Sequence, residues 1–291
     1  MRIETRQLTQ QFGETTALDS LDLTLEGNKI IGLLGRNGSG KTTLLSILAG
    51  FRKPTAGEVL VNGEPVFENA HVVRDIALIR EGGDTVEESE KVSEALRFAE
   101  YLRPNWDKEL AGQILERFEV PVKSKLDQLS RGKRSAVGIA LGLAARAPLT
   151  MFDETYLGLD APSRYVFYDL VLQDFMEHPR MFILSTHLIE EVSRIFEEVA
   201  IIDHGKLLIH DESDALLARG VAITGPQDAV DAFITGRTVI GERQLGRTKS
   251  AMLYGMLQNG ERDEAARAGL DLEPLDLQDL FVYLTEPKGG N

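Results

Sequence analysis

The chain has 291 residues, 43% of them hydrophobic, which is enough for one large domain and a small one with cores of their own. Its 46 acidic and 32 basic residues give a formal net charge of −14, which argues against a nucleic-acid binder with a broad basic surface. The lack of cysteine excludes disulfides and thiolate zinc sites, and we expect neither a signal peptide nor an apolar run of roughly 20 residues that could span a membrane.

The first part of the chain is predicted to be rich in β-strands. Leu21, Leu23 and Leu25 alternate with polar residues, as in a strand with one buried face. Residues 58–63 end in an Asn-Gly turn that is typical of a hairpin. The apolar run 30–34 is typical of a parallel strand that is covered on both faces.

The middle of the chain is predicted to be helical. From about Ser89 to Ala147, apolar residues recur at helical spacing, and Pro104 and Pro121 break the pattern.

The remainder is predicted to return to mixed α/β structure. The apolar runs 149–152 and 181–184 indicate two further buried strands, and residues 199–209 indicate a hairpin that turns at His204 and Gly205. After about Asp214 the apolar density falls, and short helix and strand signals alternate.

The strongest chemical signal is a complete P-loop, Gly35-x4-Gly40-Lys41-Thr42, between a buried strand and a helical run. Its glycines allow backbone N–H groups to converge on phosphate oxygens, Lys41 reaches the β- and γ-phosphates, and Thr42 offers a hydroxyl to Mg²⁺. The alternative is a glycine-rich turn with a solvated lysine, which the strand and helix on its two sides disfavour. The residues predicted to hold the nucleotide here are Gly35, Asn37, Gly38, Ser39, Gly40, Lys41, Thr42 and Thr43.

A buried strand ends in two adjacent carboxylates, Asp153 and Glu154. Because adjacent side chains of a strand point to opposite sides, the two acids can take different roles. We predict that Asp153 binds Mg²⁺ and that Glu154 faces the water that attacks the γ-phosphate. A strand that ends in two solvated acids is the common alternative, and the P-loop on the same chain favours the catalytic interpretation.

Five motifs together resemble the nucleotide-binding subunit of an ATP-binding cassette (ABC) transporter. In chain order they are the P-loop, Leu129-Ser130-Arg131-Gly132-Lys133, the Asp153-Glu154 strand end, Gly158-Leu159-Asp160 and Ser185-Thr186-His187. The resemblance covers about residues 1–213. It implies an α/β fold, the ABC ATPase type of P-loop NTPase domain, with an antiparallel β subdomain and a helical subdomain at about 82–145. A small C-terminal α/β domain is expected at 214–291.

The resemblance also implies roles for individual residues. Two copies are expected to pack head to tail, so that Ser130 and Gly132 of one copy cap the γ-phosphate held by the P-loop of the other. Asp160 is implied as a further nucleotide-site residue, His187 as a γ-phosphate sensor and Phe12 as an adenine-stacking ring. The alternatives are an ordinary N-cap for Ser130, a core position for Phe12 and a structural role for His187.

The sequence departs from the family pattern at four positions. Arg131 and Lys133 stand where glycine and glutamine are common, and Thr155 follows the acidic pair where proline is usual. Glu81 stands at the position that normally carries the Q-loop glutamine of this family, which ligates magnesium. We expect Glu81 to be a third Mg²⁺ ligand that adds negative charge beside the triphosphate and alters coupling to a membrane partner.

The resemblance implies an ATP-hydrolysing subunit that powers a membrane transporter through ATP-driven dimerisation. The expected ligands are ATP and Mg²⁺. The expected partners are a second copy or a related ABC subunit, and an integral membrane permease docked at about 82–145, with no nucleic acid. We expect the chain in the cytoplasm, peripheral to the inner face of the cell membrane.

The Leu-Ser-Arg-Gly motif and the ending 279–285 are similar to bacterial export-type ABC subunits, which favours export of a small molecule, lipid or peptide over import. Two alternatives stay open. Soluble ABC ATPases of ribosomes or DNA repair usually carry two cassettes or long coiled coils, and the chain has neither. A regulatory subunit without hydrolysis is disfavoured by the presence of both Glu154 and His187.

Overall fold

The computed structural model describes residues 1–80, 89–258 and 260–286. The chain divides into two compact units, Met1–His210 and Asp211–Asn291, which we call the N-terminal and C-terminal units. The boundary expected from the sequence lies after residue 213.

The N-terminal unit is built from alternating strands and helices. Its strands are β1 (Arg2–Phe12), β2 (Thr15–Glu26), β3 (Ile30–Leu34), β4 (Ala56–Val61), β5 (Glu64–Pro65), β6 (Ile76–Arg80), β7 (Leu149–Asp153), β8 (Met181–Thr186), β9 (Glu198–Asp203) and β10 (Lys206–Glu212), which runs two residues past the boundary. Its helices are α1 (Lys41–Leu48), α2 (Ala70–Val73), α3 (Val92–Leu102), α4 (Lys108–Arg117), α5 (Arg131–Ala144), α6 (Ala161–Glu177) and α7 (Ile189–Val192).

One sheet of this unit is antiparallel, with the strand order β2-β1-β4-β5. The alternating leucines Leu21, Leu23 and Leu25 of β2 are buried, and the polar residues between them face outward. These leucines share one hydrophobic cluster with α1 and with one face of the second sheet, so α1 packs between the two sheets. The predicted antiparallel β subdomain is confirmed.

The second sheet has the order β10-β9-β3-β8-β7-β6, and β3 pairs in parallel with β8 and β9. The runs predicted as buried strands are β3, β7 and β8, and every residue of all three is buried, because both faces of the sheet are covered. The carboxyl ends of these strands meet at one edge, where Leu34 pairs with Thr186, and Asp153 pairs with Ser185. This edge positions the P-loop, the acidic pair and His187 beside one another.

The helical middle of the chain is confirmed for the part that the structure describes. Helix α3 ends before Pro104 and α4 ends before Pro121, as the sequence pattern predicts. Asp107 caps α4 by accepting a hydrogen bond from the Leu110 N–H at 2.9 Å, and α4 packs against α5. Glu81 belongs to residues 81–88, which lie outside the described part of the chain.

The C-terminal unit is the predicted small α/β domain. Its elements are α8 (Ser213–Leu217), β11 (Gly220–Pro226), α9 (Gln227–Ile234), β12 (Val239–Leu245), β13 (Thr248–Tyr254), α10 (Glu261–Arg267), β14 (Asp271–Pro274) and α11 (Leu277–Thr285). The sheet order β12-β13-β11-β14 makes two interleaved split βαβ units, the ferredoxin-like arrangement. Ile223, Val230 and Leu253 lie in its hydrophobic core.

None of the helices in residues 1–80, 89–258 and 260–286 combines the length and the apolar character that crossing a membrane requires.

Candidate functional site

The P-loop connects the end of β3 at Leu34 to the start of α1 at Lys41. Gly40 has a φ of 110°, and a Cβ at this position would lie 2.5 Å from the Ala17 carbonyl oxygen, so only glycine fits. Asn37, Gly38 and Thr42 are exposed, whereas Gly35 and Ser39 are buried and Thr43 is half-buried. The first N–H groups of α1 have no partner within the helix, and they therefore form a site for an anion.

Lys41 is 4% exposed, and its ammonium group lies inside the loop. The Lys41 Nζ donates hydrogen bonds to the carbonyl oxygens of Gly35 at 2.7 Å and of Arg36 at 3.2 Å. It also lies 3.7 Å from Glu154 Oε1. Burial lowers the pKa of Lys41, and the carboxylates of Glu154 and Asp153 oppose that shift in part. A phosphate oxygen here would restore the preference for the charged ammonium.

The two carboxylates after β7 lie in different backbone conformations. Asp153 is the last residue of the strand, and its Oδ1 accepts a hydrogen bond from Ser185 Oγ at 2.7 Å. Glu154 is not extended: its φ of 49° places it in the left-handed region, just before a 3₁₀ turn at Thr155–Gly158. The alternation along a strand that the sequence argument assumed therefore does not apply, and a backbone turn separates the two acids.

His187 follows the end of β8, and its Nδ1 lies 3.2 Å from Glu154 Oε1. The same carboxylate oxygen is thus near both Lys41 and His187. Lys41, Glu154 and His187 were predicted as catalytic and lie far apart in the sequence. The fold brings the Lys41 and His187 side chains to one oxygen of Glu154. The arrangement can hold Glu154 in a fixed orientation beside the phosphate site.

Ser130, Gly132 and Asp160 lie at helix starts and, among the described residues, share no hydrogen bond or ion pair with Lys41 or Glu154. Ser130 caps α5, because its Oγ accepts a hydrogen bond from the Lys133 N–H at 3.4 Å. A Cβ at Gly132 would lie 3.0 Å from the Gly158 carbonyl oxygen, so α5 begins close against the loop before Asp160.

Asp160 caps α6 in the same manner, with its Oδ1 accepting from the Ser163 N–H at 3.0 Å. Hydrogen bonds from the side chain and backbone of Ser163 lower the pKa of Asp160. The Ser130 and Asp160 side chains therefore have local capping roles, and both are exposed on the surface of this chain.

Phe12 ends β1 and is 42% exposed, so it is not a core phenylalanine. The guanidinium carbon of Arg52 lies 4.7 Å from the centre of the Phe12 ring. This contact covers part of the ring, and the exposed remainder is an apolar surface on which a planar base can stack.

The proposed magnesium ligands differ in how far the structure describes them. The Thr42 hydroxyl and the Asp153 carboxylate are hard oxygen donors, which suits Mg²⁺, whereas Glu81 lies outside the described residues. No group of three or more acidic or histidine side chains among the described residues could hold a metal by itself. The donor set therefore fits an ion that also takes phosphate oxygens and water, as Mg²⁺ does with nucleotides.

Sequence reasoning did not identify Tyr156 and Arg164. The Tyr156 hydroxyl lies 2.6 Å from Thr186 Oγ1, directly before His187, and Arg164 forms an ion pair with Glu191 at 2.7 Å. The only sequence signal was their proximity to the motifs that contain Glu154, Asp160 and His187.

Comparison with known proteins gives relatives along nearly the whole chain. The sequence profile of the family described as "ABC transporter" matches residues 18–156. A similar protein is the "ABC transporter ATP-binding protein YtrB" of Bacillus subtilis, 26% identical over 98% of this chain and 96% of that protein. The "Nod factor export ATP-binding protein I" of Cupriavidus pinatubonensis is 30% identical over 97% of this chain and 90% of that protein.

A solved structure has the same fold over most of the chain. The dimeric, post-hydrolysis ATP-binding cassette MJ0796 with ADP and Pi superposes with a TM-score of 0.64 at 21% identity. The match covers 72% of this chain and 98% of that structure.

Proposed function

This chain belongs to the ABC transporter family, as an ATP-binding subunit and an ATPase, and we propose that two copies hydrolyse ATP in shared sites to drive a membrane permease. The observation that carries the proposal is the placement of Lys41 and His187 on one oxygen of Glu154. It puts a carboxylate beside the phosphate cradle, where a general base or a water-orienting group for phosphoryl transfer is needed.

Each site residue of this chain has a separate role in the proposed hydrolysis. Lys41 and the N–H groups at the start of α1 bind the β- and γ-phosphates. Glu154 orients a water molecule and accepts its proton as the water oxygen bonds to the γ-phosphorus and the bond to the ADP oxygen breaks. His187 holds Glu154 in place and faces the same phosphate. Thr42, Asp153 and Glu81 would hold Mg²⁺, which would supply charge stabilisation for the phosphate oxygens.

The second copy supplies the remaining groups of the nucleotide site. Ser130 is exposed at the start of α5, and the hydroxyl and backbone N–H groups at the start of a helix suit an anion. We infer that Ser130 and Gly132 cap the γ-phosphate bound by a partner copy, and that Asp160 lies in the same interface. The dimeric form of the cassette MJ0796 supports a dimer of this chain.

A permease partner is supported by exposed aromatic side chains on the N-terminal unit. Phe98 and Tyr101 of α3 are 64% and 86% exposed, and Phe51 after α1 is 58% exposed. Large exposed apolar side chains are typical of protein interfaces. We propose that the side of α3 with Phe98 and Tyr101, together with the rest of the segment 82–145, docks a cytoplasmic helix of the permease. The chain then lies at the inner face of the cell membrane. The relatives named as Nod factor export proteins favour export as the direction of transport.

Mixing two inactive variants tests the shared sites. Ser130→Arg blocks the proposed γ-phosphate cap, and Lys41→Ala removes the main phosphate cation. A mixed dimer has one site with both defects and one site with neither. We therefore expect ATPase activity in the mixture and almost none in either variant alone.

Ser130→Asp separates the two roles of Ser130. Aspartate is as good an N-cap as serine, so a pure capping role predicts full activity. A negative charge facing the γ-phosphate predicts instead loss of hydrolysis with retained ATP binding through Lys41. Full activity of the folded Ser130→Asp and Ser130→Arg proteins would refute the shared site.

A further inference from the structure

Tyr156 connects the turn after Glu154 to the backbone of His187. Its hydroxyl lies 2.6 Å from Thr186 Oγ1 and accepts a hydrogen bond from the His187 N–H at 3.3 Å. Thr186 Oγ1 also accepts a hydrogen bond from the Leu188 N–H at 2.9 Å. Tyr156 is 2% exposed and Thr186 is 1% exposed, so water does not compete for these contacts.

Arg164 makes a second connection between the same two segments. Its Nη1 donates to the carbonyl oxygen of Leu159, in the loop before Asp160, at 3.2 Å. Its Nε and Nη2 donate to the two carboxylate oxygens of Glu191, each at 2.7 Å. Such a bidentate pair fixes the relative orientation of its partners as well as their distance. Glu191 lies in α7, the short helix after His187.

The backbone at His187 lies between the end of β8 and the start of α7. Helix α7 contains only Ile189–Val192, so the N–H groups of His187 and Leu188 precede it and are satisfied by hydroxyl groups instead. The position of the His187 imidazole on Glu154 depends on this backbone. Loss of one of the hydroxyls would leave a buried donor unpaired and free the segment to shift.

We propose that Tyr156 is a positioning residue for His187, and that Tyr156 and the Arg164–Glu191 pair hold the Asp160 loop and the His187 segment together as one unit. The inference rests on the proposed hydrolysis at Glu154. Its consequence is that a second copy that contacts Asp160 also sets the position of His187. Dimerisation and the orientation of the attacking water are thereby linked through side chains of one chain.

The protonation of Tyr156 agrees with this role. Burial raises the pKa of Tyr156 to about 12, so the hydroxyl keeps its proton at neutral pH. A neutral hydroxyl can accept from the His187 N–H while it shares its own proton with Thr186. Phenylalanine at this position would remove these hydrogen bonds and keep the ring.

Tyr156→Phe in the full chain tests the proposal, with Tyr168→Phe as the matched control. Tyr168 is also buried, its ring centre lies 6.2 Å from that of Tyr156, and its hydroxyl has no hydrogen-bond partner among the described residues. We expect Tyr156→Phe to lower kcat about 3- to 10-fold with an unchanged ATP Kd, the loss expected for one hydrogen bond. Tyr168→Phe should leave both values unchanged.

A second measurement does not depend on hydrolysis. The imidazole NMR signal of His187, assigned by its disappearance in His187→Gln, should shift in Tyr156→Phe and stay in place in Tyr168→Phe. If Tyr156→Phe fails to fold, Thr186→Val takes its place, because it removes the hydroxyl that contacts Tyr156. The same changes in kcat and in the His187 signal are then expected.

The two proposals fail differently in these experiments. A wild-type chain without ATPase activity would refute the proposed hydrolysis, while the His187 signal would still test Tyr156. Tyr156→Phe that behaves like Tyr168→Phe in both measurements would overturn the positioning role. A fall in ATP affinity as large as the fall in kcat would also overturn it, because it would indicate a general structural effect.

Discussion

His187 Nδ1 and Lys41 Nζ approach the same oxygen of Glu154, at 3.2 Å and 3.7 Å, although Lys41 begins α1 and His187 follows β8. A phosphate oxygen bound by Lys41 would draw the ammonium away from Glu154 and leave His187 as the remaining partner of the carboxylate. Glu154 would then be free to accept a hydrogen bond from water while its orientation is kept. Nucleotide binding itself would thus prepare the carboxylate for its role.

Glu154→Gln should trap ATP in a closed dimer. The change removes the carboxylate charge and keeps the side-chain shape and every proposed phosphate contact. We expect ATPase activity to fall at least about 100-fold, as for the loss of a general base, with little change in ATP Kd. Size-exclusion chromatography with Mg-ATP should then show a stable dimer.

Glu190→Gln is the control for this change, because Glu190 is an exposed acid at the start of α7 and should tolerate the same substitution. Hydrolysis by Glu154→Gln at the wild-type rate, or its failure to dimerise, would contradict the role assigned to Glu154.

Ser185→Ala should weaken the response to magnesium. The Ser185 hydroxyl donates to Asp153 Oδ1 at 2.7 Å in a fully buried position and so orients the proposed metal ligand. We expect the Mg²⁺ concentration for half-maximal ATPase activity to rise about 10-fold, since outer-shell contacts of metal ligands typically have effects of this size. A titration of ATPase rate against Mg²⁺ at saturating ATP measures it.

Ser135→Ala provides the comparison for Ser185→Ala, because Ser135 Oγ is equally buried and has no hydrogen-bond partner among the described residues. Equal Mg²⁺ requirements in the two variants would argue against a role for Ser185 in orienting Asp153.

ATP binding should take up a proton through Lys41 at alkaline pH. Burial lowers the pKa of Lys41 below the ordinary 10.5, and bound phosphate favours the charged ammonium and raises this pKa again. Between the lowered pKa and 10.5 the free chain carries less charge on Lys41 than the complex does. ATP affinity should therefore fall as the pH rises through this range.

Calorimetry in buffers with different ionisation enthalpies measures the proton uptake directly. Lys41→Arg should show none from this position, because guanidinium stays protonated in proteins. The same uptake in Lys41→Arg as in the wild type would exclude Lys41 as its source.

Phe12→Ala should weaken ATP binding by about 5- to 100-fold, the range expected for the loss of one stacked base, and Phe12→Trp should preserve it. Phe51→Ala is the matched control, since Phe51 is another exposed phenylalanine and also has an arginine over its ring, Arg80 at 5.2 Å. Titration with a fluorescent ATP analogue measures all three variants. If Phe12→Ala binds nucleotide as tightly as Phe51→Ala, adenine stacks elsewhere.

The sequence predicted those parts of the fold that depend on local pattern. Period-two leucines gave β2, uninterrupted apolar runs gave β3, β7 and β8, and prolines marked the ends of α3 and α4. The P-loop was predictable because its glycines meet a specific steric demand, as the 2.5 Å approach at Gly40 illustrates.

The sequence did not predict contacts that depend on tertiary structure. The left-handed backbone of Glu154 overrides strand alternation, and nothing in the local sequence indicates that conformation. The Tyr156 hydroxyl reaches Thr186 only because β7 and β8 are neighbours in the sheet. The interleaved topology of the C-terminal unit likewise follows from strand pairing, which short alternating signals leave undetermined.

The strand order of the second sheet also determines how the nucleotide site is lost when the chain unfolds. Strands β3, β8 and β7 are interior strands with a neighbour on each side, whereas β10 and β6 lie at the edges. Backbone amides of interior strands exchange with solvent mainly through global unfolding, while edge strands fray through smaller openings. Because Lys41, Glu154 and His187 follow the interior strands, fraying of β10 leaves the nucleotide site assembled, and binding persists until the unit unfolds cooperatively.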